Sequence, residues 1–183
     1  EAFLNWPQLG TAVICVPSDW VASVQESLNP IVEVMNATRE TPLVLKIISG
    51  GVTRQASAYK GLGVLAELSQ NQWVMIHDAA RPALSVQLLE RLWNAHDEKF
   101  DGVIPGVGAT ETIKSISHEG SNEVVSATLP RQLLRVIQTP QLFKREVIIS
   151  AHEDFAQNDG AVDDSLLVER AGGKVLVVDG DYD

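Results

Sequence analysis

Short runs of β-branched and apolar residues alternate with stretches of helical periodicity, and this alternation restricts the fold more than any other feature of the sequence. The runs 11–16, 43–48 and 73–77 have the apolar character of strands that are covered on both faces. Strands that alternate with helices form layered structures with a parallel sheet. The sequence therefore predicts an α/β fold with a mainly parallel sheet, and its 183 residues favour a single domain over residues 1–183.

The helices are predicted from apolar spacing and from capping residues. Ser18 is placed to cap a helix that begins after it, and another helix is expected from near Ser85 to His96. Residues 54–68 carry alanine and leucine on one face. The pattern continues with helices at 144–155 and 163–170, and with strands at 102–105 and 174–178.

A different pattern occupies the middle of the chain. Two strand-like runs, 112–117 and 123–128, flank the turn-like residues 118–122, as in a β-hairpin. We expect this hairpin to leave the sheet as a protruding arm within about residues 112–138. The polar stretch Gln138-Thr139-Pro140-Gln141 is interpreted as an extended, proline-stiffened connector.

Composition excludes several classes of function. A formal net charge of −10 disfavours nucleic-acid binding, which needs clustered lysine and arginine, although a few aimed cations or a metal ion could still hold a small phosphorylated ligand. Cys15 is the only cysteine, so neither a disulfide within the chain nor a cysteine zinc site is expected. The sequence shows no apolar run of membrane-spanning length and no secretory leader, so we expect a cytoplasmic protein without a membrane partner.

A glycine pair follows the second predicted strand, where α/β sheets collect their ligands. Gly50 and Gly51 would let the backbone approach a ligand, and Arg54 and Ser57 lie at the start of the next helix, beside its free N–H groups. The alternative is an ordinary strand-to-helix turn, because a lone glycine pair is a weak motif.

The string His77-Asp78-Ala79-Ala80-Arg81-Pro82 follows the third predicted strand. Asp78 could hold a divalent cation that bridges phosphates, or accept hydrogen bonds from a ribose, and the small Ala79 leaves space beside it. Arg81 could bind phosphate or tie the loop to Asp78. His77 is interpreted as a hydrogen-bonded interior histidine rather than a base or a metal ligand.

Other polar residues allow both a functional and a structural interpretation. Thr112 and Lys114 share one face of their predicted strand, which could meet an anion or only solvent. Arg131 and Arg135 follow the hairpin and could bind an anion or lie at the surface. Asp163 and Asp164 fit the acidic first turn of a helix, and the remaining histidines are expected at the surface: His96, His118 and His152.

These motifs, taken together, resemble one enzyme family. Gly50-Gly51 with Arg54 and Ser57, the HDAARP string, Glu111-Thr112-Ile113-Lys114 and Gln138-Thr139-Pro140-Gln141-Leu142-Phe143 occur in this order and spacing in 2-C-methyl-D-erythritol 4-phosphate cytidylyltransferases. The resemblance covers nearly the whole chain. It implies a Rossmann-like nucleotidyltransferase domain that transfers CMP from CTP to the polyol phosphate, with Mg²⁺ and release of pyrophosphate, in the non-mevalonate route to isoprenoids.

The resemblance also implies roles for individual residues. On the nucleotide side, Gly51 and Ser57 approach the cytosine while Arg54 supports their loop. Asp78 lies beside the ribose, the metal and the methylerythritol group, and Arg81 orders its loop.

On the polyol side, the resemblance implies that Thr112 and Arg131 bind the methylerythritol phosphate and that Thr139 lines the same pocket. The arm of this family clasps a second subunit, so Arg131 is expected to act across the interface of a homodimer.

The chain departs from the family pattern at several positions. Val52 and Pro130 stand where acidic residues are usual, Glu111 replaces an aspartate, and Val162 stands where threonine is common. The glycine-rich triphosphate loop with its arginine and lysine, and the later Asn-Ile-Lys run, have no counterpart in residues 1–183. We therefore expect a domain that is incomplete at its N-terminal side and at its C-terminal end, and inactive alone because phosphate charge lacks compensation.

Two alternatives remain open at this point. One is a cytidylyltransferase for another polyol phosphate, such as ribitol 5-phosphate. The other is a non-catalytic nucleotide-binding protein that serves as a dimer scaffold.

Overall fold

Strands and helices alternate along the chain as the sequence predicts, and the bounds of the elements agree with the prediction to within a few residues. The structure is a computed structural model that describes residues 2–68, 72–155 and 161–182. The helices are α1 (Ala2–Asn5), α2 (Val21–Asn36), α3 (Arg54–Leu68), α4 (Val86–Asn94), α5 (Arg145–Asp154) and α6 (Asp164–Arg170). The strands are β1 (Thr11–Val16), β2 (Val44–Ser49), β3 (Trp73–Ile76), β4 (Gly102–Gly108), β5 (Lys114–Glu119), β6 (Asn122–Thr128), β7 (Arg135–Ile137), β8 (Gln141–Lys144) and β9 (Val175–Asp179).

The central sheet is mixed rather than mainly parallel. Strand β4 pairs in parallel with β9 and antiparallel with β7 and β8, and β3 pairs antiparallel with β8. Strands β3, β4 and β9 therefore run in one direction, while β8 lies between β3 and β4 and runs against them. Strands β1 and β2 form a separate parallel pair.

The antiparallel strands correct the predicted connector at residues 138–141. Strands β7 and β8 lie along the same neighbour, β4, with Ile137 opposite Gly106 and Phe143 opposite Gly102. The cis peptide bond Thr139–Pro140 lies between the two strands. Gln141 is 1% exposed, and its amide donates to Asp163 Oδ2 at 3.0 Å. Gln141 therefore lies in a buried strand although it is polar, because its hydrogen-bond partner Asp163 comes from a later part of the chain.

Helices cover both faces of the central sheet. Because consecutive strand residues point to opposite faces, β4 supplies Ile104 to one core cluster and Val103 to the other. The first cluster packs against α3, α5 and α6, and the second against α4, which contributes Leu88 and Leu92. Helix α4 begins after Ser85, as predicted, and the Ser85 side chain caps it by accepting a hydrogen bond from Leu88 N at 3.0 Å. The prediction that Ser18 caps a helix is wrong, because Ser18 lies in a short 3-10 turn and Trp20 holds the cap position of α2. None of the helices in the described ranges is long and apolar enough to cross a membrane.

The predicted hairpin arm is present but shorter than expected. Strands β5 and β6 pair with each other, and Gly120, at φ 65°, allows a tight turn between Glu119 and Asn122. The range 112–138 overestimates the arm, because β7 already belongs to the central sheet. Thr112 precedes β5 and therefore does not share a strand face with Lys114.

Candidate active site

The two polar loops that the sequence singles out meet at one edge of the structure. Arg54 begins α3, after Val52 and Thr53, which follow the glycine pair. Asp78 lies two residues beyond the end of β3. The Nε of Arg54 donates to Asp78 Oδ1 at 2.8 Å. The side chains of Arg54 and Asp78 are 36% and 31% exposed, so the pair is open to a ligand.

The glycine pair is held against the first turn of α3. Gly50 N donates to Val16 O at 2.8 Å, and Gly51 N donates to Ser57 Oγ at 2.9 Å. The Ser57 hydroxyl donates a hydrogen bond to Thr53 O at 2.9 Å. These contacts give Gly50, Gly51 and Ser57 a structural role that the turn interpretation predicts, and they fix the loop surface that a ligand would meet.

The loop that carries Asp78 is closed by hydrogen bonds. Asp78 N donates to Thr139 Oγ1 at 3.2 Å, and Arg81 N donates to Asp78 O at 3.0 Å. His77 is bound on both ring nitrogens, with Nδ1 3.0 Å from Thr139 Oγ1 and Nε2 3.0 Å from Arg81 O. The backbone of Arg81 thus orders the loop, whereas its side chain and the neighbouring Ala79 are exposed.

The prediction for His77 is confirmed, because the residue is partly buried and hydrogen-bonded. Burial is the largest influence and lowers the pKa of His77 below its ordinary value, against the opposing effect of the Arg81 carbonyl. A lowered pKa keeps the imidazole neutral at neutral pH.

A buried ion network lies behind the exposed pair. Arg54 Nη2 donates to Asp164 Oδ2 at 2.7 Å, and Asp164 Oδ1 lies 3.0 Å from His152 Nε2. Asp164 and His152 are each 1% exposed. The two acids stand at the start of α6, as predicted. Asp163 caps the helix, accepting from Leu166 N at 3.0 Å, whereas Asp164 points into the protein rather than to solvent.

The prediction that His152 lies at the surface is wrong. His152 shares the buried face of α5 with Ile148 and Ala151, at the i, i+3 and i+4 positions. Asp164 shares the buried face of α6 with Leu167 and Val168 at the same spacing. Helical spacing was therefore a signal in the sequence that could have placed both polar residues inside.

Both members of the central ion pair are charged at neutral pH. Burial alone would raise the pKa of Asp164, but the hydrogen bond from His152 and the charge of Arg54 lower it below the ordinary aspartate value. Burial would lower the pKa of Arg54, and its two carboxylate partners raise it instead. The network therefore contains two carboxylates and one guanidinium.

The residues predicted to bind the polyol phosphate lie near the base of the arm. Thr112 is exposed in the segment before β5. Arg131 is also exposed, and its Nη1 donates to Thr110 O at 3.1 Å. A cleft of about 330 Å³ is lined by Arg135 of β7 with the two residues 132–133 before it, and by residues 177–179 of β9. The structure thus brings the nucleotide-side candidates together and leaves Thr112 and Arg131 with the arm.

A magnesium ion fits the chemistry of this site through one carboxylate. In the described part of the chain, no group of three or more histidine, cysteine, aspartate or glutamate side chains could hold a metal ion. Asp78 Oδ1 accepts a hydrogen bond from Arg54 Nε at 2.8 Å, and its side chain is 31% exposed. Magnesium is commonly held by one or two carboxylates together with substrate phosphates and water, and Asp78 would supply one such carboxylate.

Solved structures of similar shape place the fold in one enzyme class. A crystal structure of 4-diphosphocytidyl-2C-methyl-D-erythritol synthase matches with a TM-score of 0.74 and 25% identity, over 99% of this chain and 76% of that one. The 2-C-methyl-D-erythritol 4-phosphate cytidylyltransferase of Thermus thermophilus matches with a TM-score of 0.61 and 30% identity, over 78% of this chain and 65% of that one. The fold is that of a Rossmann-like α/β nucleotidyltransferase.

Sequence comparison gives the family. The model of the family 2-C-methyl-D-erythritol 4-phosphate cytidylyltransferase (IspD) matches residues 1–183. The enzyme of that name from Carboxydothermus hydrogenoformans is 31% identical over 183 residues, which are 100% of this chain and 72% of the relative. The bifunctional enzyme IspD/IspF of Rhodopseudomonas palustris (strain TIE-1) is 38% identical over 88% of this chain, which spans 40% of that enzyme. The chain therefore belongs to the 2-C-methyl-D-erythritol 4-phosphate cytidylyltransferase family.

These matches confirm the predicted family, fold class and enzyme class. The name of the family states the activity that the sequence predicts, cytidylyl transfer to 2-C-methyl-D-erythritol 4-phosphate.

Close packing at Gly51 generates the first prediction. A Cβ at Gly51 would lie 2.4 Å from Ala56 Cβ, so Gly51→Ala should lower the free energy of unfolding by about 1–3 kcal/mol. Gly63 is the control, because it lies in α3 with no atom within 4 Å of its added Cβ, and Gly63→Ala should raise that free energy by about 0.5–1 kcal/mol. Urea unfolding measures both, and equal effects of the two substitutions would contradict the packing argument.

Proposed function

We propose that this chain carries the cytidylyltransferase site that joins CMP, from CTP, to 2-C-methyl-D-erythritol 4-phosphate. The observation that carries the proposal is the contact between Arg54 and Asp78, because it unites the glycine-pair loop and the HDAARP loop at one edge of the structure. An exposed carboxylate just beyond the carboxyl end of a strand stands where α/β proteins bind nucleotides.

The reaction needs no nucleophile from the protein. A phosphate oxygen of the polyol attacks the α-phosphorus of CTP, a new P–O bond forms, and the bond to the β-phosphate breaks. The electron pair of the broken bond leaves with pyrophosphate. Catalysis of such a transfer consists of holding the two substrates in line and compensating the negative charge that develops on the phosphates.

On the nucleotide side, we assign to Gly50, Gly51 and Ser57 the surface that contacts the cytosine. Arg54 holds the Asp78 carboxylate at 2.8 Å and so fixes its direction. Asp78 then faces the ribose and a bound Mg²⁺. When bound, Mg²⁺ supplies positive charge that neutralises the phosphate oxygens.

On the polyol side, we assign phosphate binding to Arg131 and Thr112, with Arg81 ordering the loop that follows Asp78. Thr139 is 7% exposed, and its hydroxyl lies within hydrogen-bond distance of Asp78 N and His77 Nδ1. Its contribution to the pocket is therefore to hold the Asp78 loop in place.

We also propose a cytoplasmic homodimer joined through the arm. Ile116 and Val125 pair across β5 and β6 and are 47% and 58% exposed, and Val124 is 38% exposed. Apolar side chains on an element that pairs only with itself are suited to cover a second copy. Arg131 follows this arm directly, so we expect it to complete the site of the partner subunit.

Turnover of two polyol phosphates tests the function. The full-length protein that contains this chain should release pyrophosphate from CTP and Mg²⁺ with 2-C-methyl-D-erythritol 4-phosphate at a kcat/KM at least about 100-fold above that with ribitol 5-phosphate, since a site built for one polyol rejects misplaced hydroxyls. A preference for ribitol 5-phosphate would instead support the alternative enzyme. Binding of CTP without turnover of either phosphate would support the scaffold.

Asp78→Asn tests the carboxylate at the site. The substitution keeps the shape of the side chain and removes the charge that faces the ligand and the metal, so kcat should fall by about 100-fold or more while the melting temperature stays close to that of the wild type. Asp101→Asn is the control. Asp101 pairs with Lys144 and stands just before the start of β4, whereas Asp78 follows the end of the neighbouring strand β3, so the two lie at opposite ends of the strands. Kinetics of Asp78→Asn that equal those of Asp101→Asn would exclude the assignment.

Subunit mixing tests the shared site. Arg131→Ala and Asp78→Asn subunits should each be nearly inactive alone, but a mixed dimer contains one intact site, made of Asp78 from one subunit and Arg131 from the other. Random pairing at equal amounts should restore about a quarter of the wild-type activity per dimer, because half of the dimers are mixed and each has one of two sites intact. If mixing restores nothing, Arg131 acts within its own subunit or not at all.

A further inference from the structure

Asp164 is a buried carboxylate with a defined place behind the proposed site, and the roles proposed above do not use it. It is 1% exposed, and each of its oxygens has one partner, Arg54 on one side and His152 on the other. Arg54 is the only one of the three that reaches the exposed edge. Whatever holds Asp164 in place therefore also holds Arg54.

Asp164 itself is fixed from several sides. It stands in the first turn of α6, directly after the cap residue Asp163, which receives a hydrogen bond from Gln141 in β8 at 3.0 Å. His152 lies in α5, and its ring stacks on that of Tyr59 in α3, with centroids 5.9 Å apart and planes 14° apart. Three helices and a strand thus determine the position of one carboxylate.

Without this anchor, the contact between Arg54 and Asp78 would be an ordinary surface ion pair. Both side chains are about one third exposed, and such pairs hold their geometry weakly because two flexible side chains must be ordered in water. Asp164 binds the same guanidinium from the interior, so Nε and Nη2 each meet a carboxylate. The guanidinium is planar and rigid, and fixing one edge at two points sets its orientation.

The charges lead to the same conclusion. One guanidinium between two carboxylates leaves one net negative charge in the group formed by Arg54, Asp78 and Asp164. If Asp164 were neutral, Arg54 would cancel the charge of Asp78, and the exposed carboxylate would attract a divalent cation less strongly. The buried aspartate thus orients the exposed one and leaves the three-residue group with a net negative charge.

A purely structural role explains this arrangement less well. A buried ion pair gains little over apolar residues of the same volume, because removing both charges from water costs about as much as their attraction returns. Asp164 and His152 stand at positions where helical spacing calls for apolar side chains.

We propose that Asp164 is a positioning residue for Asp78 and acts through Arg54, so that the affinity of the site for the Mg²⁺ complex of CTP depends on a carboxylate that no substrate touches. The proposal rests on the function proposed above. His152 supports Asp164 from the other side.

The test uses the full-length protein and the variants Asp164→Asn and Asp101→Asn. Calorimetric titration with MgCTP, without the polyol phosphate, should show binding about 10-fold weaker for Asp164→Asn, because loss of a residue that orients a metal ligand typically weakens metal binding by that order. In turnover assays kcat should fall by about 10-fold, whereas KM for 2-C-methyl-D-erythritol 4-phosphate should stay within about 2-fold of the wild type. Asp101→Asn should match the wild type in all three measurements.

Arg54→Lys tests the same bridge from the side of the cation, and it serves if Asp164→Asn does not fold. Lysine retains the charge at a side chain that is one third exposed, but an ammonium cannot hold both carboxylates with the geometry of a guanidinium. The variant should reproduce the weaker MgCTP binding. Where both single variants fold, the double variant should bind MgCTP no more weakly than either, because all three break the same bridge.

The outcomes separate the two proposals. A wild-type protein that neither binds MgCTP nor turns over would refute the proposed function, and this inference with it. An active wild type together with a folded Asp164→Asn variant that matches Asp101→Asn would refute the positioning role alone. Normal MgCTP binding by a folded Arg54→Lys variant would refute it as well.

Discussion

The guanidinium of Arg54 is the contact on which the arrangement of the site depends. It joins the first turn of α3, the loop after β3 and the first turn of α6, because its two carboxylate partners come from the second and third of these elements. A charged aspartate can remain buried in α6 only with a cation beside it. The carboxylates of Asp78 and Asp164 therefore share one cation, and the position of the loop after β3 depends on that of the first turn of α6.

Much of the fold and half of the site follow from local patterns in the sequence. The apolar runs and helical spacing give the order of strands and helices, since each element shows its own periodicity. Helices α4 and α6 begin beside Ser85 and Asp163, where the sequence predicts helix starts. Arg54 and Asp78 each follow the end of a predicted strand, and a general rule about strand ends predicts that such residues lie close together. No knowledge of distant contacts is needed for these steps.

The remainder depends on partners that are far apart in the chain. Arg54 and Asp164 are 110 residues apart, and local spacing cannot indicate which cation offsets the cost of burying the charge of an aspartate. The same reason explains why the sequence predicts a connector at Gln141 and a surface position for His152, because a polar residue is expected in solvent until its partner is known. The sequence does not predict the mixed sheet, because the polar residues around the cis proline are typical of a loop although β7 and β8 lie on either side of it.

The placement of β8 has a consequence for the order in which the protein can fold. In the described strands, β3 pairs only with β8, and β8 also pairs with β4. A nascent chain that has emerged only as far as β4 therefore cannot begin the central sheet, because β3 and β4 do not pair with each other. Strand β4 has no partner in the central sheet until β7 is synthesised, and β3 has none until β8 follows. The backbone groups at the edges of β3 and β4 therefore stay unpaired while the arm is synthesised, and such edges are prone to aggregate.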